Sequence, residues 1–434
     1  ITDNLPPVLE ALQTQNSQEL TLQFNEPLQP EQAQTAANYT LNGESTPLIA
    51  ELLAPDKVRL VFGKSFRAGS NSLGIVNLQD LYGNSLSGPI MRSFSFVPPA
   101  VLPGYNELLI TEIMADESPA VGLPAQEYIE LHNPTEKVLA LQGIRYSDAT
   151  STATLPDVQL LPQEYAVVVP NSQVQSFSGY GKVIGISNFP SLNNSGELLQ
   201  LRQPNGKLIY AVSYADTWYK NSSKREGGWS LEMIDVNNAC AGADNWTASE
   251  DPRGGTPAQV NSVAASNPDN TPPALIAVTA VAPDRLLLRF SERLDSAQAA
   301  TAANYSLNPG GIGIASVQVS GPLFMEVVLS LSAPLQESQL YTLAATGITD
   351  CAGNHAVQPL TYAVALPSAP APGDVVINEV LFNPRTGGAD FVELVNRSSK
   401  YLDLQNWQLA NLSADTISNK RTVTTGNYVL APGA

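Results

Sequence analysis

The sequence predicts an all-β fold: tandem immunoglobulin-like β-sandwiches in an A–B–A–B arrangement. Three observations predict it. Two different segments each occur twice, in alternation; short runs rich in Val, Ile, Leu and Tyr are separated by Gly, Pro, Asn and Asp turns; and no long helical or apolar stretch interrupts them. At 434 residues the chain exceeds one core, and about 100–200 residues per domain predicts three or four domains.

Module A is carried by NEPLQPEQAQTAANYTLN (25–42), which recurs as SERLDSAQAATAANYSLN (291–308). Just upstream, Leu20, Leu22 and Phe24 correspond to Leu286, Leu288 and Phe290, the alternating apolar positions of one strand. LQDLYGN (78–84) returns as ITDCAGN (348–354), and proline pairs open both copies. The modules are placed at 1–98 and 270–366. Only PEQAQTAANY and SAQAATAANY read as helical, one or two turns crossing between strands.

Module B repeats at nearly the same spacing. LLITEIM (108–114) matches VVINEVL (375–381), EYIELHNP (127–134) matches DFVELVNR (390–397), and LALQGI (139–144) matches LDLQNW (402–407). The copies are placed at 104–263 and 373–434. The second is expected to be the front part of a domain, with the sequence ending inside it. Proline-rich stretches at 97–104 and 365–373 read as short, stiff spacers. The chain begins at Ile1 without Met, which suggests a leader removed upstream.

Charged residues are only 14%, and acids exceed bases by 40 to 22, a net charge of −18. That surface repels phosphate backbones and anionic lipid, which argues against nucleic-acid and membrane-surface partners. No apolar run approaches the ~20 residues that span a bilayer. A monomer is expected. Cys240 and Cys351 stand in different module contexts, so they are expected not to pair and leave the redox compartment open.

Catalytic machinery is hard to find. The two histidines, His132 and His355, lack any triad, metal or nucleophile motif around them, and the second B copy has Val395 in place of His132. Glu112 and Glu130 recur as Glu379 and Glu393. Alternation puts Ile129 and Leu131 on one face and Tyr128, Glu130 and His132 on the other. The first reading is a structural glutamate bonded to backbone or base near a sheet edge. A carboxylate pair for Ca²⁺ is the second, and paired-carboxylate catalysis the third. Asp80 and Asp350 in Asp-x-x-Gly-Asn turns present a choice between turn stabilisation and Ca²⁺. Glu26 and Glu292 are expected to be solvated strand ends. No cofactor is required on this reading.

Three of the four tryptophans, Trp218, Trp229 and Trp246, cluster beside Lys220, Lys224 and Arg225, a basic island in an acidic chain. Trp218 and Tyr219 with Lys220, Lys224 and Arg225 form the candidate ligand surface, for a protein or glycan; Trp229 and Trp246 are expected in the core.

Module B resembles the lamin tail domain, an immunoglobulin-like fold of nuclear lamins that also occurs in many bacterial secreted proteins. The carrying residues are ITEIM (110–114), EYIELHNP (127–134), the run Leu155–Val169, PSLNNSGELLQL (190–201), GGWSLE (227–232), Asn245-Trp246 and GGTP (254–257). Module A resembles the bacterial Ig-like domains of surface-layer and adhesin-type proteins, through Phe-x-Glu, AANYxLN and Asp-x-x-Gly-Asn. These resemblances imply a non-catalytic spacer or adhesion protein, secreted or on a bacterial surface, and elongated in solution. The alternative is a carbohydrate- or partner-binding accessory region of a larger secreted hydrolase.

Overall fold

The computed structural model describes residues 3–434; Ile1 and Thr2, which open the first A module, lie outside the described residues. Strands make up its regular structure, and its two α-helices, Pro30–Ala33 and Ser296–Ala299, are one turn each.

Alternation decides module A. Strand Glu19–Phe24 buries Leu20, Leu22 and Phe24, and its pairing with Lys57–Val61 sets Leu20 opposite Leu60 and Leu22 opposite Val58. These belong to a four-stranded sheet in the order Leu9–Asn16, Glu19–Phe24, Lys57–Val61, Ile49–Ala54. A three-stranded sheet of Tyr39–Leu41, Gly69–Ile75 and Ile90–Phe96 supplies Tyr39, Leu41, Leu73, Ile75 and Phe96 to the same core. Each such side chain stabilises by about 1.5–3 kcal/mol when fully buried. The second A module repeats both sheets: Leu275–Ala282, Arg285–Phe290, Glu326–Leu331 and Ile314–Ser320 form one, and Tyr305–Asn308, Leu340–Ala345 and Leu360–Ala365 the other.

The AANY motif has a mechanical reason. Tyr39 Oη donates to Ala33 O at 2.8 Å and Asn38 Nδ2 to Gln32 O at 2.9 Å, so both side chains close the C-terminal end of the crossing helix. Tyr305 and Asn304 do the same to Ala299 O and Gln298 O at 2.7 and 2.9 Å. A one-turn helix leaves its carbonyls without intrahelical partners, and these two residues supply donors.

In the first B module, Thr152–Thr154, Arg145–Ser147 and Leu198–Arg202 pair in that order in one sheet. The other runs Lys182–Ile186, Tyr165–Pro170, Tyr128–His132, Leu109–Met114, Leu231–Met233. The first of these joins Tyr165–Pro170 in parallel; the rest of this run is antiparallel. Both B copies build an identical corner. Asn133 Nδ2 donates to Lys137 O, Leu160 O and Leu161 O, and Asn396 Nδ2 to Lys400 O, Leu430 O and Ala431 O. In the second copy Val375–Leu381 pairs with Phe391–Asn396, but there Ile377, Val380, Phe391 and Val392 stay exposed.

The chain divides into two compact units, 1–210 with 215–236 and 248–264, and 211–214 with 237–247 and 265–434. One reason lies within the second unit. Cys240 and Cys351 form a disulfide, with Cα atoms 6.3 Å apart, inside the usual window of about 4.4–6.8 Å. This corrects the expectation that they do not pair: the fold brings the 237–247 segment onto the Asp350–Asn354 turn, a proximity that a separation of 111 residues hides. Among the described residues no helix is long and apolar enough to cross a membrane.

Candidate functional site

Glu112 and Glu130 lie at the centre of the first B module. Strand register sets Glu112 directly opposite Glu130 on one side and Glu232 on the other, so three glutamates form a row across three neighbouring strands. All three are fully buried. They are not near a sheet edge as expected, because Tyr128–His132 lies between Leu109–Met114 and Tyr165–Pro170. Nor does one face of that strand meet solvent: all five residues are buried.

The segment 254–263 covers the row. Thr256 N donates to Glu112 Oε1 at 2.8 Å, Gln259 N to Glu130 Oε2 at 3.2 Å and Val263 N to Glu232 Oε2 at 3.2 Å. Thr256 Oγ1 and Ser262 Oγ add bonds to Glu232 at 3.0 and 2.7 Å. From below, Tyr128 Oη and Ser230 Oγ each reach Glu112 Oε1 at 2.6 Å, and Thr111 Oγ1 reaches Glu130 Oε1 at 2.7 Å. The strap approaches this closely because it starts with glycines. A Cβ on Gly255 would stand 2.5 Å from both Glu112 Oε1 and Tyr128 Oη, and one on Gly254, at φ +99°, 2.1 Å from Gly228 O.

Burial, then the charge of Glu232, pushes the Glu112 carboxyl up to about 7. Burial and Glu112 push Glu130 well above the usual carboxylate range. His132 is buried, stacked on Tyr165 with ring centroids 3.9 Å apart, its Nδ1 3.3 Å from Glu164 O; burial pushes it down to about 4. Glu112, Glu130 and His132 do not converge on a cleft. A groove of about 370 Å³ in this module is lined by Thr152, Thr154, Asn171, Ser187 and Asn188 among others, and none of the three reaches it. Strap and strand donors engage at least one oxygen of each carboxyl in the row.

Carboxylates do gather in the A modules. Asp3, Glu26 and Asp80 offer oxygens that all lie within 4.8 Å of one another, and Asp269, Glu292 and Asp350 repeat the arrangement. Asp80 also braces its turn: its Oδ1 accepts from Tyr82 N and Asn84 N at 2.8 Å each, and its Oδ2 from Asn84 Nδ2 at 2.6 Å. Asp350 is bonded likewise by Ala352 N and Asn354. Glu26 and Glu292 are partly buried, not solvated as expected. Burial and the neighbouring acids raise Glu26, and push Glu292 up to about 7. Three hard oxygen donors at this spacing have the chemistry of a divalent-cation site.

The aromatic–basic island is largely turned inward. Tyr219 is buried and donates to Trp229 O at 3.1 Å. The Lys224 ammonium sits 4.3 Å from the Trp229 ring centroid and donates to Ser249 O. Arg225 lies 3.9 Å from Asp216, Trp218 is half-buried, and Lys220 is exposed with a left-handed backbone. Trp246 is fully buried in the core; Trp229 is only half-buried.

Against known families, residues 103–216 and 368–434 match the Lamin Tail Domain. These two segments are similar to the lamin tail domain. The first match ends before Glu232 and the strap, so the parts that close the carboxyl row lie beyond it. No curated protein matches the chain. Among solved structures, the N-terminal part of the bacterial S-layer protein SbsC aligns with 38% of this chain and 45% of its own, at 19% identity and a TM-score of 0.21. Domains 1–6 of SbsC align with 99% of this chain and 67% of their own at 9% identity and 0.20. The Escherichia coli adhesin FdeC aligns with 83% and 96%, at 11% identity and 0.21.

The sequence singled out Glu112, Glu130, Asp80 and Asp350 but not Glu232, Asp3, Asp269 or the strap. Glu232 sits in the short strand Leu231–Met233, where all three residues are buried and no alternation singles it out.

Proposed function

We propose that the chain is a non-catalytic modular protein of the bacterial surface or secreted space, its sandwiches serving as spacers or adhesion modules. The observation that carries this reading is the Cys240–Cys351 disulfide, which joins the 237–247 segment to the Asp350–Asn354 turn within one compact unit and persists in oxidising compartments, not reducing ones. The inward commitment of the buried acids to strap and strand donors supports the absence of chemistry. Protease treatment of intact source cells should release peptides of this chain, with the Cys240 and Cys351 peptides still joined. Retention of the protein inside the cells, with both thiols free, would overturn the proposal.

Calcium belongs to the same reading. The two acid triads favour it, since burial and then the neighbouring acids raise Glu26 and Glu292, and a cation would offset the second of these. A ligand that binds only the folded state at 100 times its Kd stabilises by about 2.7 kcal/mol. The melting midpoint is therefore expected to rise by several degrees in calcium relative to chelator. An unchanged midpoint rules calcium out.

A further inference from the structure

We propose that the Glu130–Glu112–Glu232 row is a proton-dependent latch: the strap 254–263 is held while Glu112 and Glu130 carry protons and is loosened when they lose them. The geometry supplies both halves of the device. Three carboxyls stand side by side on adjacent strands, all fully buried, and the strap is fastened to each of them through a backbone amide. Glu112 Oε2 is buried with no hydrogen-bond partner, a position tolerable for a neutral carboxyl and costly for an anion.

No positive charge inside the row offsets ionisation. Tyr128 faces Glu112 from the neighbouring strand, and Tyr165 faces Glu130 from the next. Arg253 is the cation near Glu112, but it is paired to Asp251 at 2.8 Å and half-exposed. His132 shares the strand of Glu130 and, with its pKa lowered to about 4, is neutral through the relevant range. Thr256, Gln259 and Ser262 on the strap are uncharged. Ionising the row therefore places like charges side by side in a dry site.

The sign follows from linkage. Glu112 binds its proton more tightly folded, with a pKa near 7, than unfolded, with a pKa near 4.5. Stability from this group is thus fully present at acid pH and lost as pH rises from about 4.5 through 7. Carboxylates held below their ordinary value, such as Asp80, Asp148 and Asp251, act in the opposite sense and only below about pH 4.

The test is equilibrium unfolding of the whole chain followed by tryptophan fluorescence, at pH 5 and pH 8. The folding equilibrium constant of the transition reported by Trp218 and Trp229 should fall by roughly 100-fold between the two. Glu112→Gln, an isosteric neutral carboxyl mimic, should remove most of that fall. Glu292→Gln, in the other acid cluster with a raised carboxyl, should leave it intact. Should Glu112→Gln fail to fold, Glu130→Gln gives the same reading. A flat or rising profile in the unsubstituted chain overturns the latch, as does an unchanged slope in Glu112→Gln or, in its place, Glu130→Gln.

Discussion

Replacing Glu112 with alanine is expected to destabilise the first B module by about 3 kcal/mol at pH 5, measured by chemical denaturation. The single oxygen Glu112 Oε1 accepts from Tyr128 Oη, Ser230 Oγ and Thr256 N, so the substitution leaves three buried donors without an acceptor. Each orphaned buried donor costs roughly 1–3 kcal/mol. Against this stands relief of the carboxyl's own burial, which is small while Glu112 is neutral and grows as it ionises. The loss should therefore shrink toward pH 8. The protein carries its own control: Glu379, the repeat of Glu112, is exposed in the second B module, and Glu379→Ala should change stability by less than about 0.5 kcal/mol.

Removing the disulfide is the second large effect. Cys240→Ser with Cys351→Ser should lower the stability of the unit containing both by about 2–5 kcal/mol, read from its melting transition with and without reductant. The bond closes a loop spanning 111 residues, and loops of about that length lose the most chain entropy in the unfolded state when cross-linked. The first A module again serves as control, because Leu81 stands where the second has Cys351, and its transition should be indifferent to reductant.

What was legible in the sequence follows from what kind of signal each element leaves. Leu20, Leu22 and Phe24 alternate on one strand and recur as Leu286, Leu288 and Phe290, so the sandwiches could be read directly. Glu112 and Glu130 stood out because they recur. Glu232 did not, since its strand has no counterpart in the second copy, and GGTPAQVNSV carries no period that would show it lying over a carboxyl row. Glu26 looked solvated because its neighbours Asp3 and Asp80 come from distant parts of the chain. The Cys240–Cys351 pair was invisible for the same reason: sequence reports local pattern, and these contacts are made by tertiary folding.

The carboxyl row is a fastening inside a closed domain, not an opening onto substrate. Native-state hydrogen exchange at pH 5 reads this at the Thr256, Gln259 and Val263 amides. Protection matching that of the strand Leu109–Met114 is the predicted result, and exchange at the rate of an exposed loop would contradict it.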